Sequence, residues 1–98
     1  MADDGVWKAL ADPTRRLILD ELAECDGQSL SGICARLATR HALGLTRQAV
    51  SQHLAVLEAA GLVWVRRRGR YRLHDLNTAP LERIAARWLT PDPAGDVP

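Results

Sequence analysis

Apolar side chains recur at intervals of three or four residues in five stretches of this 98-residue chain. Such spacing places them on one face of an α-helix. It predicts helices over residues 6–11 and 13–25, a third from Ser29 or Ser31 to a point before Gly44, a fourth ending at Gly61, and a last one beginning near Pro80. The sequence leaves open whether residues 38–43 extend the third helix or form a loop. A chain of this length forms one domain and not two.

Capping residues mark the starts of two of these helices. Asp12 can accept hydrogen bonds from free backbone N–H groups, and Pro13 suits the first helical position because its missing N–H has no partner there. Thr46 is the expected N-cap of the fourth helix. The expected buried face of that helix comprises Val50, Leu54 and Leu57. Its other face carries no acid before Glu58 and comprises Arg47, Gln48, Ser51, Gln52 and Ala55.

Residues 62–73 predict a β-hairpin directly after the fourth helix. Arg68-Gly69 is the expected two-residue turn, because glycine supplies the positive φ that such turns require. This turn pairs Trp64 with Leu73 and Arg66 with Tyr71, and directly opposed residues share one face of a sheet. The expected core face therefore comprises Leu62, Trp64, Tyr71 and Leu73, and the outer face comprises Val63, Val65, Arg72 and His74.

The tip of this hairpin is crowded with arginine, since seven residues contain Arg66, Arg67, Arg68, Arg70 and Arg72. These charges repel one another, so an anion should stabilise the hairpin. Residues 47–72 hold six arginines and one carboxylate, whereas seven of the 12 acidic residues lie within residues 1–26. The net charge is only +1, yet this segregation is typical of a surface that binds a polyanion. A charged strand solvated by water is the alternative.

The fourth helix and the hairpin together favour double-stranded DNA as that polyanion. Arginine reads guanine, and glutamine reads adenine, through paired hydrogen bonds in the major groove. The N-terminal part of a recognition helix is where such contacts are usually made. Arginines on the hairpin would then reach phosphate oxygens or the adjacent minor groove.

Two stretches of the chain resemble the ArsR-type family of transcriptional regulators. Residues 8–19, KALADPTRRLIL, are similar to the opening of that family, and residues 49–63, AVSQHLAVLEAAGLV, to its recognition helix and the start of its wing. The Arg-Gly-Arg tip at residues 68–70 also fits. The resemblance implies a mainly α winged helix-turn-helix with a small β-hairpin, which acts as a homodimeric repressor. It covers residues 6–89 as one DNA-binding and dimerisation domain, with a flexible N-terminus at 1–5 and a flexible tail at 90–98.

The resemblance also assigns the site residues. It implies DNA contacts from the recognition-helix residues Thr46, Arg47, Gln48, Ser51, Gln52 and His53 and from the wing residues Arg66, Arg67, Arg68 and Arg70. It implies a dimer interface between the first and last helices, comprising Val6, Trp7, Leu10, Leu81, Ile84, Ala85, Trp88 and Leu89. Trp64, by contrast, is expected to fill the core of the protomer. Residues 38–43 exceed the family's short turn and leave the angle between the third and fourth helices open.

Metal sensing, which many members of this family perform, is not expected here. Thiolate sensors need clustered cysteines, but Cys34 stands alone on the third helix. The last helix has no histidine, and the three histidines of the chain are scattered. We therefore expect no metal and no cofactor. Cys34 is expected to be a small core residue, and a redox switch at Cys34 or Cys25 is the alternative.

Other classes of function find no support in the sequence. No apolar run approaches the roughly 18 residues of a membrane span, and the N-terminus does not resemble a signal peptide, so we expect a cytoplasmic protein. No set of nucleophile, base and orienting group suggests an enzyme. A winged helix that recruits a protein partner instead of DNA is the second hypothesis. The sequence does not identify a small-molecule effector.

Overall fold

The computed structural model describes residues 3–89. Its elements follow in the order α1 (Asp4–Leu10), α2 (Pro13–Glu24), α3 (Leu30–His41), α4 (Arg47–Ala59), β1 (Val63–Arg68), β2 (Tyr71–Leu76) and α5 (Ala79–Trp88). The two strands form one antiparallel hairpin. The mainly α architecture with a small hairpin is confirmed. Of the ends expected to be flexible, the tail at 90–98 lies outside the described residues, and α1 already begins at Asp4 within the segment 1–5.

Side-chain caps begin three of the helices. The Asp12 carboxylate accepts hydrogen bonds from the backbone N–H groups of Thr14, at 2.7 Å, and Arg15, at 3.2 Å, while Pro13 takes the first helical position. The Thr46 hydroxyl accepts from the Ala49 N–H at 3.0 Å, which confirms it as the cap of α4. Ser29 caps α3 in the same way, so the third helix begins at Leu30. These caps fix where the helices start.

The core lies where α2, α3 and α4 meet the base of the hairpin. All three residues of the expected buried face of α4 are buried, as predicted. The surrounding core comprises Ile18, Leu19, Leu22, Ile33, Leu37, Leu62 and Val63. Val6 and Ala9 of α1 are also fully buried there. Val6 was expected at the dimer interface, but its side chain is already used by the core of the protomer.

Residues 38–41 extend α3 by one helical turn. Ala42 ends the helix in the left-handed conformation, with φ of 55°, and the N–H of Leu43 bonds back to the Leu37 carbonyl at 3.0 Å. Leu43 and Leu45 then pack against the core. Four of the six extra residues, 38–41, are therefore helical, and residues 42–46 form the turn to α4.

A buried carboxylate, Glu21 of α2, holds this extra turn. Its side chain is only 1% exposed and accepts hydrogen bonds from Arg36 Nε at 2.7 Å and from Arg40 Nε at 3.2 Å. The ring of His41 lies 2.7 Å from its second oxygen. Burial raises the pKa of this carboxyl, but the hydrogen bonds from His41 and the two arginines outweigh that effect and lower it below its ordinary value. Glu21 is therefore charged and fixes the end of α3 against α2.

The hairpin differs from the sequence-based expectation in register and in orientation. The observed turn is Gly69-Arg70, with Arg68 paired to Tyr71 and Arg66 paired to Leu73, so the expected Trp64–Leu73 and Arg66–Tyr71 pairs are wrong. Gly69 has φ of +62° at the first turn position, where turns of type II′ take glycine.

The face that points to the core is also the opposite of the expected one. Val63 and His74 are buried, whereas Trp64 is 62% exposed and Tyr71 is 66% exposed. The physical reason is that β2 continues to Leu76, beyond the expected end at Leu73. The face with Val63 and Val65 thereby gains Leu76, which packs against the core, and the pairing of His74 with Gln28 holds this face inward.

A short additional strand segment anchors the hairpin to the helices. The backbone of Gln28, between α2 and α3, pairs with that of His74, and the Nδ1 atom of His74 lies 2.8 Å from the Gln28 carbonyl oxygen. The neighbouring Gly27 has φ of +73° and lies so close to Arg66 that an added Cβ would be 2.6 Å from its Nη2 atom. This junction fixes the base of the hairpin relative to α3.

Candidate nucleic-acid interface

The outer face of α4 is exposed along its first three turns. The exposed side chains are those of Arg47, Gln48, Ser51 and Gln52. The side chains on the opposite face of the helix are buried in the core. The predicted outer face is thus confirmed as a surface. Arg47 Nη1 donates to the hydroxyl oxygen of Ser31 at 2.6 Å, which holds the guanidinium beside the N-terminus of α3.

The hairpin lies beside this face and encloses a cleft with it. The cleft has a volume of about 360 Å³. Arg47 and Ser51 of α4 line one side, and Arg70 and Arg72 of the hairpin line the other. Leu54 forms part of the lining between them. The capped helix α4 and the arginine-rich hairpin therefore flank one cleft. This geometry is required if the helix is to enter a groove of a DNA duplex while the hairpin contacts the adjoining DNA backbone.

The arginines of the hairpin divide into two groups. Arg66 is paired with Asp75, with Nε 2.6 Å from the carboxylate, and this hydrogen bond raises its pKa further. Within residues 3–89, no carboxylate forms an ion pair with Arg67, Arg68, Arg70 or Arg72. Arg67 and Arg72 even stand directly opposite each other in the ladder. Like charges in that position are destabilising, so an anion bound at the cleft would relieve a strain present in the free protein.

Comparison with known proteins decides the family. A family model described as a helix-turn-helix domain matches residues 10–66. The chain is 48% identical over 86 residues to the uncharacterized HTH-type transcriptional regulator YuzN of Bacillus subtilis, covering 88% of this chain and 94% of that protein. The chain belongs to the ArsR-type family of winged helix-turn-helix transcriptional regulators.

Other relatives of this ArsR-type regulator support the same family assignment. The transcriptional repressor SdpR of Bacillus subtilis is 33% identical over 86 residues, which cover 88% of this chain and 87% of that one. A solved ArsR-like transcriptional regulator from a Rhodococcus species superposes with a TM-score of 0.69 at 37% identity, covering 89% of this chain and 80% of the other. The chain is accordingly a regulator and not an enzyme.

Nine residues that line the cleft were missing from the sequence-based site, namely Ser29, Leu30, Ser31, Leu54, Ala55, Glu58, Tyr71, Arg72 and His74. Arg72 and Tyr71 line it, although the expected register placed Tyr71 in the core. Ser31 lines it through its contact with Arg47. Choosing Gly69 as the first turn residue extends β2 to Leu76 and favours burial of the face with Val63 and His74, which is also the face that carries Arg72. No sequence signal indicated Ser31, because its partner is 16 residues away.

His53 faces away from the cleft, towards α2. It is partly buried, and its Nδ1 atom lies 3.3 Å from Nη1 of Arg15. The expectation that His53 contacts DNA phosphate remains a prediction. Its position at the edge of the exposed face of α4 is compatible with such a contact through the other ring nitrogen.

Apolar side chains of α1 and α5 form a second exposed surface. Trp88 is 64% exposed and Leu89 is 74% exposed. The ring centroids of Trp7 and Trp88 are 6.5 Å apart, and the Arg87 guanidinium lies 4.6 Å from the centroid of the Trp88 ring. Leu10, Leu81 and Ile84 are partly buried against the core, and they connect this surface to it.

The described part of the regulator contains no group of three or more metal-ligating side chains. Cys34 is partly buried and packs against the core, whereas Cys25 is exposed and both thiols are free. No helix within residues 3–89 combines the length and the apolar character needed to cross a bilayer.

Proposed function

We propose that this regulator represses transcription by binding double-stranded DNA as a homodimer. The observation that carries the proposal is the cleft, where Arg47 and Ser51 of the exposed face of α4 lie beside Arg70 and Arg72 of the hairpin. In the proposed complex α4 enters the major groove, and the hairpin follows the adjoining backbone or minor groove. The repressor named SdpR supports the direction of regulation. A DNA partner also supports a cytoplasmic location.

Each side chain of the site receives a role from its chemistry. Arg47 suits guanine, and Gln48 and Gln52 suit adenine. Ser51 can contact a base or a phosphate, and the polar residues Thr46 and His53 suit phosphates. Phosphate contacts from the hairpin are proposed for Arg67, Arg68, Arg70 and Arg72. Arg66 is proposed to brace the hairpin through Asp75 rather than to carry an unpaired charge.

The proposed homodimer joins two copies through α1 and α5. The tryptophan pair Trp7–Trp88 and the exposed Leu89 support it, because a small protein seldom leaves such side chains in water together. A two-fold axis between the copies would place two α4 helices on one side of the dimer. The predicted operator is then a palindrome whose half-sites lie about one helical turn apart.

The test is the DNA affinity of the triple variant Arg67→Ala, Arg68→Ala, Arg70→Ala, measured by fluorescence anisotropy on a selected duplex across a range of salt. Removing three arginines per protomer removes six per dimer. The slope of log affinity against log salt should become shallower by about 5 if each neutralises one phosphate. Sedimentation should show an unchanged dimer.

The control is Lys8→Ala with Arg83→Ala, which removes two exposed cations that do not line the cleft. Both residues lie on helices of the proposed dimer interface, so sedimentation must show that this variant is also a dimer. Its salt slope should change by less than about 1. A triple variant with the affinity and slope of the parent protein would contradict the proposal, and would favour a winged helix that binds a protein partner. A reporter gene under the regulator's own promoter tests direction: its expression should rise when the regulator is deleted, and a fall would indicate an activator.

A further inference from the structure

The guanidinium of Arg15, on α2, connects α1 with α4. The first of these helices belongs to the proposed dimer surface and the second to the proposed DNA-binding surface. Its Nε atom donates to the Ala9 carbonyl oxygen at 2.8 Å, and Nη2 donates to the Lys8 carbonyl oxygen at 3.0 Å. Its Nη1 atom lies 3.3 Å from Nδ1 of His53 on α4. The side chain is 17% exposed, so these bonds are largely shielded from water.

The contacts at α1 have a definite cause. Carbonyl groups in the last turn of a helix have no partner within the helix. Arg15 donates to the carbonyl of Ala9 and also to that of Lys8, which in addition accepts from the Ala11 N–H at 3.3 Å, and the planar shape of the guanidinium restricts where its third nitrogen points. The end of α1 therefore helps to place Nη1, which lies 3.3 Å from Nδ1 of His53 and 3.9 Å from the Asp12 carboxylate.

A hydrogen bond between these two atoms requires one tautomer of His53. A guanidinium nitrogen can only donate, so Nδ1 of His53 must accept. The ring proton is then on Nε2, which remains available as a donor. A phosphate oxygen is an acceptor and is the group that such a donor suits.

We propose that Arg15 is a positioning residue, which orients the His53 ring for a DNA phosphate and transmits assembly at α1 to the recognition helix. The inference rests on the proposed function. Trp7 lies one residue before the carbonyl of Lys8, so a second copy packed on Trp7 restrains the segment to which Arg15 is bound. Restraint at α1 thereby restrains His53 without any direct contact between the two copies near α4.

The neighbouring Arg16 provides a matched control. Its Nη1 atom donates to the Leu10 carbonyl oxygen at 2.6 Å, so it also supports the end of α1. Within residues 3–89, Arg16 forms no hydrogen bond or ion pair with α4. Arg15→Lys and Arg16→Lys both keep the positive charge and lose the planar fork, but only the first should disturb His53.

The first experiment is a double-mutant cycle on DNA affinity, at concentrations where sedimentation shows every variant to be dimeric. His53→Ala should weaken binding about fivefold in the parent and in Arg16→Lys, but less than about twofold in Arg15→Lys. An equal loss in all three backgrounds would overturn the inference. A parent protein that neither dimerises nor binds a selected duplex would instead overturn the proposed function.

The second experiment tests transmission with a duplex that holds a single half-site. On such a duplex, dimerisation and DNA binding can affect each other only through the protein. Half-site DNA should tighten the dimer about fivefold in the parent and in Arg16→Lys, and less than about twofold in Arg15→Lys. The same tightening in Arg15→Lys as in the parent would overturn the inference.

A third measurement requires no variant, and so remains decisive even if Arg15→Lys folds poorly. Nitrogen-15 NMR of the free protein reports which ring nitrogen of each histidine carries the proton. His53 should be protonated at Nε2 with a bare Nδ1. A proton on Nδ1 in the neutral ring would show that Arg15 does not donate to it, and would overturn the inference.

Discussion

Replacing Glu21 by alanine should destabilise the domain far more than any other single loss of an acid. The carboxylate is almost completely buried and accepts from Arg36, Arg40 and His41. Loss of one member of a buried ion pair costs about 3–5 kcal/mol, because the partner remains buried and unpaired. The three partners of Glu21 are 25–47% exposed, and can therefore regain water.

We accordingly expect Glu21→Ala to lower the free energy of unfolding by about 2–3 kcal/mol, less than the loss of a fully enclosed pair. For a domain of this size, that loss corresponds to a fall in melting temperature of about 10–20 °C. Urea and thermal denaturation followed by circular dichroism measure both quantities. Glu24→Ala is the control, since Glu24 bonds Arg40 from an exposed position, and should change stability by at most about 1 kcal/mol. Equal effects of the two substitutions would refute the reasoning.

The contribution of the Glu21 carboxylate to stability depends on pH with a defined sign. Hydrogen bonds lower the pKa of Glu21 in the folded state below the ordinary value of 4.5. A carboxyl of this kind contributes stability that is complete above the ordinary pKa and is lost as the pH falls through the folded one. The stability difference between the parent and Glu21→Gln should therefore shrink as the pH falls below about 4.5. A difference that grows as the pH falls below this value would contradict the account.

Four further substitutions test other parts of the structure. Gly27→Ala should lower the free energy of unfolding by about 1–3 kcal/mol, because residue 27 has positive φ and faces Arg66, whereas Gly5→Ala, in α1 with open space around it, should raise it by about 0.5 kcal/mol. Trp88→Ala should shift the sedimentation profile from dimer towards monomer, and an unshifted profile would place the interface elsewhere. Gln48→Ala should relax the preference at one base pair per half-site by about 1–3 kcal/mol in a binding-site selection, and an unchanged preference would exclude that contact.

Local signals in the sequence were sufficient for the helices and for the outer face of α4. The caps Asp12 and Thr46 act on backbone groups two or three residues away, so their effect can be read without the fold. The repeat of Val50, Leu54 and Leu57 likewise identifies the face opposite the proposed DNA contacts.

Features that join distant segments could not be predicted in the same way. The orientation of the hairpin depends on Gln28, which pairs with His74 across 46 residues, and on Leu76, which lies beyond the expected strand. The extension of α3 depends on Glu21 of another helix. Trp64 was expected in the core because the expected turn placed it on one face with Tyr71 and Leu73, but the aliphatic face of the hairpin is buried instead.

The measurement that tests the joint contact of helix and hairpin most directly is site-specific photocross-linking to a selected duplex. A benzophenone amino acid is placed at Gln48, at Arg68, or at the exposed Asp20 of α2 as a control. Position 48 should cross-link within the half-site, position 68 should cross-link to its flank on the same side, and position 20 should not cross-link. Cross-links from position 48 without any from position 68, or cross-links scattered along the duplex from both, would contradict the account.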